Sequence, residues 1–112
     1  MAYRSLKTVS WLERNRVGKV DYIETGSGPT VIFLHGIGGG ALGFKHQLEV
    51  FARAGFRAVA WDMPGYGRSD PLEDMTFPAL ADAMLWLVDQ LSVDTVHAVG
   101  HSIGGMVVQE FA

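Results

Sequence analysis

The sequence predicts an α/β domain in which an antiparallel hairpin leads into a parallel sheet flanked by helices. Strand-like and helix-like segments alternate along most of the 112 residues, which is the pattern of a parallel sheet with right-handed crossovers. Residues 31–34 (Val-Ile-Phe-Leu) are apolar throughout, as expected of a strand buried on both faces. Repeats, linkers and low-complexity tracts are missing, so we expect a single domain.

The first two elements are predicted as short strands over residues 8–13 and 17–24. The polar segment Arg14-Asn15-Arg16 would form the hairpin turn between them. A second turn is predicted at residues 26–29 (Gly-Ser-Gly-Pro), directly before the buried strand.

A glycine-rich loop, residues 36–40, follows the buried strand and leads into a helix. This helix places Phe44, Leu48 and Phe51 on one face and is expected to end at Gly55. Residues 57–61 form the next predicted strand, and residues 62–71 a long, turn-rich loop.

A second helix is predicted to begin near Thr76, which can cap it, with Pro78 in its first turn. Its buried stripe is formed by apolar residues at helical spacing, namely Leu80, Met84, Leu87, Val88 and Leu91. Residues 95–99 form the last predicted strand, and a helix-like segment runs from residue 105 to the end of the chain.

Composition excludes several classes of partner. The formal net charge is −3 and no run of like charge is present, so a surface for nucleic acid or an anionic membrane is not expected. No segment is long enough to span a bilayer, and the first residues lack the apolar stretch of a signal peptide. The chain contains no cysteine, which fits a reducing compartment. We expect a cytoplasmic protein.

The segment Gly100-His101-Ser102-Ile103-Gly104 is the most informative motif. G-x-S-x-G between a strand and a helix is typical of a nucleophile elbow, in which a sharp, strained turn exposes the serine hydroxyl. Side chains two positions before or after the serine would collide with the neighbouring strand or helix, which explains Gly100 and Gly104. The motif predicts Ser102 as the nucleophile of a hydrolase.

An oxyanion formed at such a serine needs two hydrogen-bond donors. The backbone N–H of Ile103, directly after Ser102, is the first candidate. The second would come from the loop His35-Gly36-Ile37-Gly38, where glycines let the backbone approach a tetrahedral intermediate, and we favour the N–H of Ile37.

Three segments together resemble the α/β-hydrolase fold superfamily. Residues 35–39, 62–69 (Asp-Met-Pro-Gly-Tyr-Gly-Arg-Ser) and 100–105 occur in the order and spacing of that family. The chain is most similar to the branch of carboxylesterases, enol-lactonases, proline iminopeptidases and carbon–carbon bond hydrolases. The resemblance covers nearly the whole chain, is specific for the superfamily, and says little about the substrate.

The resemblance implies a strand order and roles for several residues. The strand ending at Leu34 would lie between those ending at Trp61 and Val99, which brings Ile37 and Ser102 together at a topological switch point. His35 would brace the oxyanion loop, and Asp62 would hold the turn at residues 64–67. Structural roles are also expected for the remaining polar residues of these segments and for the other histidines, namely Arg68, Ser69, Asp70, His46, His97 and His101.

The residue at the elbow also bears on the reaction. Haloalkane dehalogenases and epoxide hydrolases of this family carry aspartate there and form an alkyl ester on it. Serine at position 102 favours acyl transfer from a small carboxylic ester, a lactone or a related acyl substrate, with no cofactor and no metal.

In this family the catalytic acid and histidine follow the elbow, whereas only residues 103–112 follow Ser102 here. Residues 1–112 are therefore expected to be one incomplete α/β-hydrolase domain, the N-terminal part of a longer protein that supplies the acid, the base and any cap. Alone, the chain is expected to be inactive and poorly soluble, because the strand 95–99 would be left with an unpaired edge.

Two other functions compete with the hydrolase. The segment from Gly36 to Ala41 satisfies G-x-G-x-x-G/A between a strand and a helix, and Asp62 ends the next strand, as in a Rossmann dinucleotide-binding domain. That hypothesis leaves the elbow unexplained. A non-catalytic hydrolase-fold module used for binding is the other alternative.

Overall fold

A computed structural model describes residues 13–112 of the chain. The strands and α-helices of these residues follow one another as β1 (Glu13–Val17), β2 (Val20–Thr25), β3 (Thr30–Leu34), α1 (Lys45–Arg53), β4 (Arg57–Trp61), α2 (Phe77–Gln90), β5 (Val96–Gly100) and α3 (Ile103–Phe111). A single turn of 3-10 helix, Ala41–Phe44, precedes α1.

The strands form one mixed sheet in the order β1-β2-β4-β3-β5. The pairs β1–β2 and β2–β4 are antiparallel, whereas β3 is parallel to both β4 and β5. The predicted α/β class, with a hairpin leading into a parallel sheet, is confirmed. The strand that ends at Leu34 lies between those that end at Trp61 and Gly100, as the resemblance implied.

Alternate residues of each strand point to opposite faces of the sheet. Both faces of β3 are apolar, and helices cover both. Val31 and Phe33 of β3 pack with Leu48 of α1 on one face. Ile32 and Leu34 pack on the other face with side chains of α2 and α3. The run of four apolar residues is buried throughout, as predicted for a strand between two helical layers.

The helix boundaries follow local chemistry. The Thr76 hydroxyl accepts a hydrogen bond of 3.2 Å from the N–H of Ala79 and caps α2, with Pro78 in the first turn. The predicted stripe of α2 is buried except for Val88, which is half-buried. After α1, Gly55 takes a φ of 96°, a conformation that stops the helix.

The predicted position of the hairpin is wrong. Arg14, Asn15 and Arg16 form the middle of β1 rather than the turn, and the chain reverses at residues 18–19. Gly18 adopts a φ of 59°, which a tight hairpin turn requires. The proposed first strand over residues 8–13 lies outside the described residues except for Glu13.

Candidate active site

Ser102 occupies a sharp turn between β5 and α3. Its backbone dihedral angles are φ 58° and ψ −120°, a combination that residues with a side chain rarely adopt. Among residues 13–112, only Ser92 and Ser102 combine a side chain with a positive φ. The residue is exposed, so the turn presents its hydroxyl at the carboxyl edge of the sheet.

Neighbouring backbone lies too close to this turn to admit side chains at two glycines. A Cβ at Gly100 would lie 2.5 Å from the carbonyl oxygen of Gly104 and from the N and Cα of Gly105. A Cβ at Gly104 would overlap the carbonyl group of Leu34 in β3. Glycine at position 100 therefore lets β5 approach α3, and glycine at position 104 lets α3 approach β3.

The glycine-rich loop after β3 lies beside this turn. Leu34 is paired with Gly100 in the sheet, and its carbonyl oxygen accepts a hydrogen bond of 2.9 Å from the N–H of His101. A Cβ built on Gly36 would lie 3.0 Å from the Cβ of Ser102. Within residues 13–112, the N–H groups of Ile37 and Ile103 have no hydrogen-bond acceptor, while the Ile37 side chain is 74% exposed.

The His35 side chain holds this loop by hydrogen bonds, and these bonds define the tautomer of the imidazole. Its Nε2 accepts a bond of 2.9 Å from the N–H of Met63, so Nε2 carries no proton. Its Nδ1 therefore carries the proton and donates a hydrogen bond of 2.8 Å to the carbonyl oxygen of Gly36. The ring is 3% exposed and stacks edge-on against Tyr66. This neutral, buried imidazole connects the glycine loop to the segment after β4.

A cavity of about 400 Å³ opens between the glycine loop and α1. It is lined by residues 35–40 of the glycine loop, by Gly43, Phe44 and Gln47 around the start of α1, and by His101. Ser102 does not line it but adjoins it through His101. The described residues that line it include no carboxylate, so the cavity offers backbone groups, the Gln47 amide and imidazole rings.

Asp62 lies at the start of the loop after β4 and is 1% exposed. Its Oδ1 accepts a bond of 2.8 Å from the N–H of Ala41, at the end of the glycine loop. Its Oδ2 accepts bonds of 3.1 Å from the N–H of Arg68 and from the Arg14 guanidinium. The bond to Arg68 confirms that Asp62 holds its own turn.

The same contacts argue against the dinucleotide-binding alternative. In that hypothesis Asp62 would bind a ribose hydroxyl, yet the carboxylate is buried and both of its oxygens already accept hydrogen bonds. The helix α1 also begins only at Lys45, after a 3-10 turn, so its N-terminus does not directly follow the glycines as a pyrophosphate site requires.

Two arginines of β1 bind the loop that follows β4. Arg14 lies between two carboxylates, since the same nitrogen is 3.1 Å from Asp21 and 3.1 Å from Asp62. Arg16 pairs with Asp21 and Asp70, and donates to the carbonyl oxygen of Arg68 at 2.8 Å. The hydrogen bond to Asp70 raises the pKa of the Arg16 guanidinium above its ordinary value.

Sequence reasoning assigned these two arginines to a turn and so missed their contacts. The alternation of Arg14 and Arg16 is compatible with one face of a strand, but nothing in the sequence pairs Arg14 with a residue 48 positions away. Ser69, by contrast, braces the loop as predicted, because its Oγ accepts a bond of 2.8 Å from the N–H of Asp21.

The remaining histidines lie on different elements. His46 is exposed on α1 and His97 is exposed on β5, whereas His101 lines the cavity. In the described part of the chain, no three side chains of His, Asp or Glu come together as a possible metal site.

The chain belongs to the α/β-hydrolase family. The family model described as "alpha/beta hydrolase fold" matches residues 29–112, a range that contains the glycine loop, Asp62 and the whole elbow. The fold of residues 13–112 matches the N-terminal part of this family's fold.

Curated relatives include several kinds of hydrolase. A 2-hydroxy-6-oxononadienedioate/2-hydroxy-6-oxononatrienedioate hydrolase of Paraburkholderia phymatum is 35% identical over 95% of this chain and 39% of its own length. A bifunctional epoxide hydrolase 2 of Sus scrofa is 32% identical over 84% of this chain and 18% of its own length.

Solved structures of epoxide hydrolases share the fold. The enzyme VrEH1 of Vigna radiata has a TM-score of 0.88 and 31% identity, over 93% of this chain and 36% of its own. An epoxide hydrolase of an endophytic Streptomyces has a TM-score of 0.86 and 29% identity, over 92% and 33% respectively. The chain thus spans less than two fifths of the length of these relatives. Within residues 13–112, no helix has the length and apolar character needed to cross a membrane.

Proposed function

We propose that the chain carries the nucleophile and oxyanion-binding part of a serine hydrolase that acts on a small carboxylic ester, a lactone or a related acyl substrate. The observation that carries the proposal is the backbone of Ser102, held at φ 58° and ψ −120° between β5 and α3. A strain of roughly 1–3 kcal/mol persists only where the surrounding structure enforces it, and such residues cluster at functional sites.

The Ser102 hydroxyl would attack the substrate carbonyl, forming a bond from Oγ to carbon while the carbonyl electron pair moves onto oxygen. The N–H groups of Ile37 and Ile103 would donate hydrogen bonds to that oxyanion. Two facts support this assignment: both amides are without an acceptor in the described residues, and Gly36 packs against Ser102. A base would take the proton of the Ser102 hydroxyl, and an acidic residue would orient that base. Both would come from residues after 112.

Serine at position 102 favours acyl chemistry over epoxide opening. Epoxide opening through a covalent intermediate needs a carboxylate nucleophile that forms an alkyl ester and is then hydrolysed at its carbonyl. A serine hydroxyl would form an ether, which water does not cleave under mild conditions. The epoxide hydrolases therefore share the fold of this chain, but we do not extend their substrate to it.

The second candidate substrate is a ketone in which the enzyme hydrolyses a carbon–carbon bond next to the carbonyl group. It is favoured by the relatives named for 2-hydroxy-6-oxononadienedioate, which is a keto acid, at 34% to 38% identity. Ser102 and the two amides would act on the ketone carbonyl as they would on an ester.

The test of Ser102 uses the full-length gene product that contains these residues. We expect Ser102→Ala to lower the turnover of p-nitrophenyl acetate by about a thousandfold or more, because the nucleophile is lost. The matched control is Ser92→Ala, which makes the same chemical change at the other exposed serine of positive φ, 59°. We expect this control to retain wild-type turnover.

Circular dichroism would check that both variants keep the wild-type fold. Ester turnover that survives Ser102→Ala would remove this serine from the mechanism. The two candidate substrates are separated by comparing kcat/KM for the ester with that for a 2-hydroxy-6-oxo-dienoate, whose cleavage is followed by loss of its near-ultraviolet absorbance.

A further inference from the structure

The buried carboxylate of Asp62 connects the glycine loop to the rest of the molecule. It accepts the N–H of Ala41 through Oδ1 and the N–H of Arg68 through Oδ2. Inside the loop, the carbonyl oxygen of Gly36 accepts bonds from the N–H of Gly39 and from His35. The loop that contains Ile37 is thus held at its start by His35 and at its end by Asp62.

Arg14 neutralises this carboxylate from the edge of the sheet. The side chain of Asp62 is 2% exposed, and Arg14 is its one ion-pair partner among residues 13–112, at 3.1 Å. A buried carboxylate without a partner is strongly unfavourable, so the arginine stabilises the buried position in which Asp62 accepts both backbone bonds.

We propose that Arg14 is a positioning residue that holds the glycine loop in place for oxyanion binding, acting through the carboxylate of Asp62. The proposal rests on the proposed function for its catalytic consequence, but the contact from Arg14 through Asp62 to Ala41 does not depend on it. Arg14 itself lies in β1 and touches neither Ser102 nor the cavity wall.

Arg16 provides a matched control. It lies two residues along the same strand, pairs with Asp21 as Arg14 does, and contacts the loop through Asp70 and the carbonyl oxygen of Arg68. It makes no contact with Asp62. A variant of Arg16 therefore removes a cation from the same face of β1 while it leaves the Asp62 carboxylate paired.

The experiment compares Arg14→Gln, Arg14→Lys, Arg16→Gln and Arg16→Lys in the full-length protein by amide hydrogen exchange. The Ala41 amide reports the bond to Asp62, and the Val59 amide in the middle of β4 reports global opening. We expect Arg14→Gln to raise the ratio of Ala41 to Val59 exchange about tenfold, because a charge-assisted contact is lost. Arg14→Lys keeps the charge but replaces the planar guanidinium with an ammonium on a shorter side chain, and should raise the ratio about threefold. The Arg16 variants should leave it unchanged.

Kinetics of ester hydrolysis provide the second readout. A misplaced oxyanion donor affects the transition state more than substrate binding, so Arg14→Gln should lower kcat about tenfold and change KM by less than about twofold. Arg16→Gln should change neither constant.

The outcomes separate this proposal from the proposed function. An Ala41 to Val59 ratio that stays at the wild-type value in the Arg14 variants, or that rises equally in the Arg16 variants, would overturn the positioning role. If Arg14→Gln does not fold, the pair Arg14→Lys and Arg16→Lys decides by the same ratio. A protein that hydrolyses neither the ester nor the 2-hydroxy-6-oxo-dienoate would contradict the proposed function, and the exchange ratio would still decide the role of Arg14.

Discussion

Gly104 and Gly105 are neighbours in the first turn of α3, yet their α-carbons face different surroundings. A Cβ at Gly104 would overlap the carbonyl of Leu34, whereas at Gly105 the nearest atom would be the Gly100 carbonyl oxygen, 3.5 Å away. The distinction between the two glycines depends on the packing of α3 against β3.

We expect Gly104→Ala to destabilise the protein by roughly 1–3 kcal/mol or more, because the strand and the helix must separate. Gly105→Ala should be neutral or stabilising by up to about 1 kcal/mol, since alanine favours the helix and its methyl group has room. Urea denaturation followed by circular dichroism measures both changes. Equal destabilisation by the two substitutions would show that α3 does not pack against β3 as described.

Asp62 shows how far the sequence predicts the candidate site. Its position after a strand and before the turn Pro64-Gly65-Tyr66-Gly67 predicted that it would hold that turn, which the bond to Arg68 confirms. The bonds to Ala41 and Arg14 were not predictable, because they join residues that are 21 and 48 positions apart and share no local pattern. The roles of Ser102, Ile37 and Ile103 stay predictions.

At the scale of elements, the strands and helices after Thr25 were predictable because their signals are local. The apolar run of β3, the cap of α2 and the glycine after α1 each lie within a few residues of the boundary that they set. The hairpin was misplaced because Arg14 and Arg16 are polar, and polar segments favour turns. In the fold these arginines are stabilised in a strand by three carboxylates. Asp21 is the cross-strand neighbour of Arg16 in the hairpin, whereas Asp62 and Asp70 are brought near only by the tertiary structure.

The N-terminus of α2 supports a separate prediction. Thr76→Ala should lower the free energy of unfolding by about 1 kcal/mol, because the N–H of Ala79 loses its side-chain acceptor. Thr76→Ser keeps the hydroxyl and is the matched control, which we expect to remain within about 0.5 kcal/mol of wild type. Thermal unfolding of the two variants tests this. A Thr76→Ala protein as stable as Thr76→Ser would mean that the hydroxyl does not cap the helix.

At the scale of the whole molecule, β5 is a terminal strand of the sheet formed by residues 13–112. Among the described residues β5 pairs only with β3, so its second edge has unpaired backbone groups. The side chain of Val99 is 44% exposed beside that edge. An exposed strand edge with apolar side chains is a template for pairing with another chain.

We therefore expect the 112-residue chain to self-associate, and Val99→Lys to reduce this association, because a charge beside the edge opposes strand pairing. The matched control is Leu85→Lys, since Leu85 is 43% exposed on α2, away from β5. Sedimentation velocity over a range of concentrations measures the effect. A chain that sediments as a monomer at every concentration would contradict this prediction, as would equal effects of the two lysines.

The placement of β3 between β4 and β5 also fixes the order in which the chain can fold during synthesis. Thr30 of β3 pairs with Arg57 and with Val96, so the β5 side of β3 stays unpaired until the ribosome has added the segment that ends at Gly100. The 39 residues that follow Trp61, up to and including Gly100, take roughly 2 to 8 s to translate at ordinary rates. During that interval the nascent chain exposes an apolar strand edge, and the glycine loop has no elbow beside it. Within residues 13–112, the juxtaposition of Gly36 and Ser102 is therefore among the last contacts that can form as this part of the chain is made.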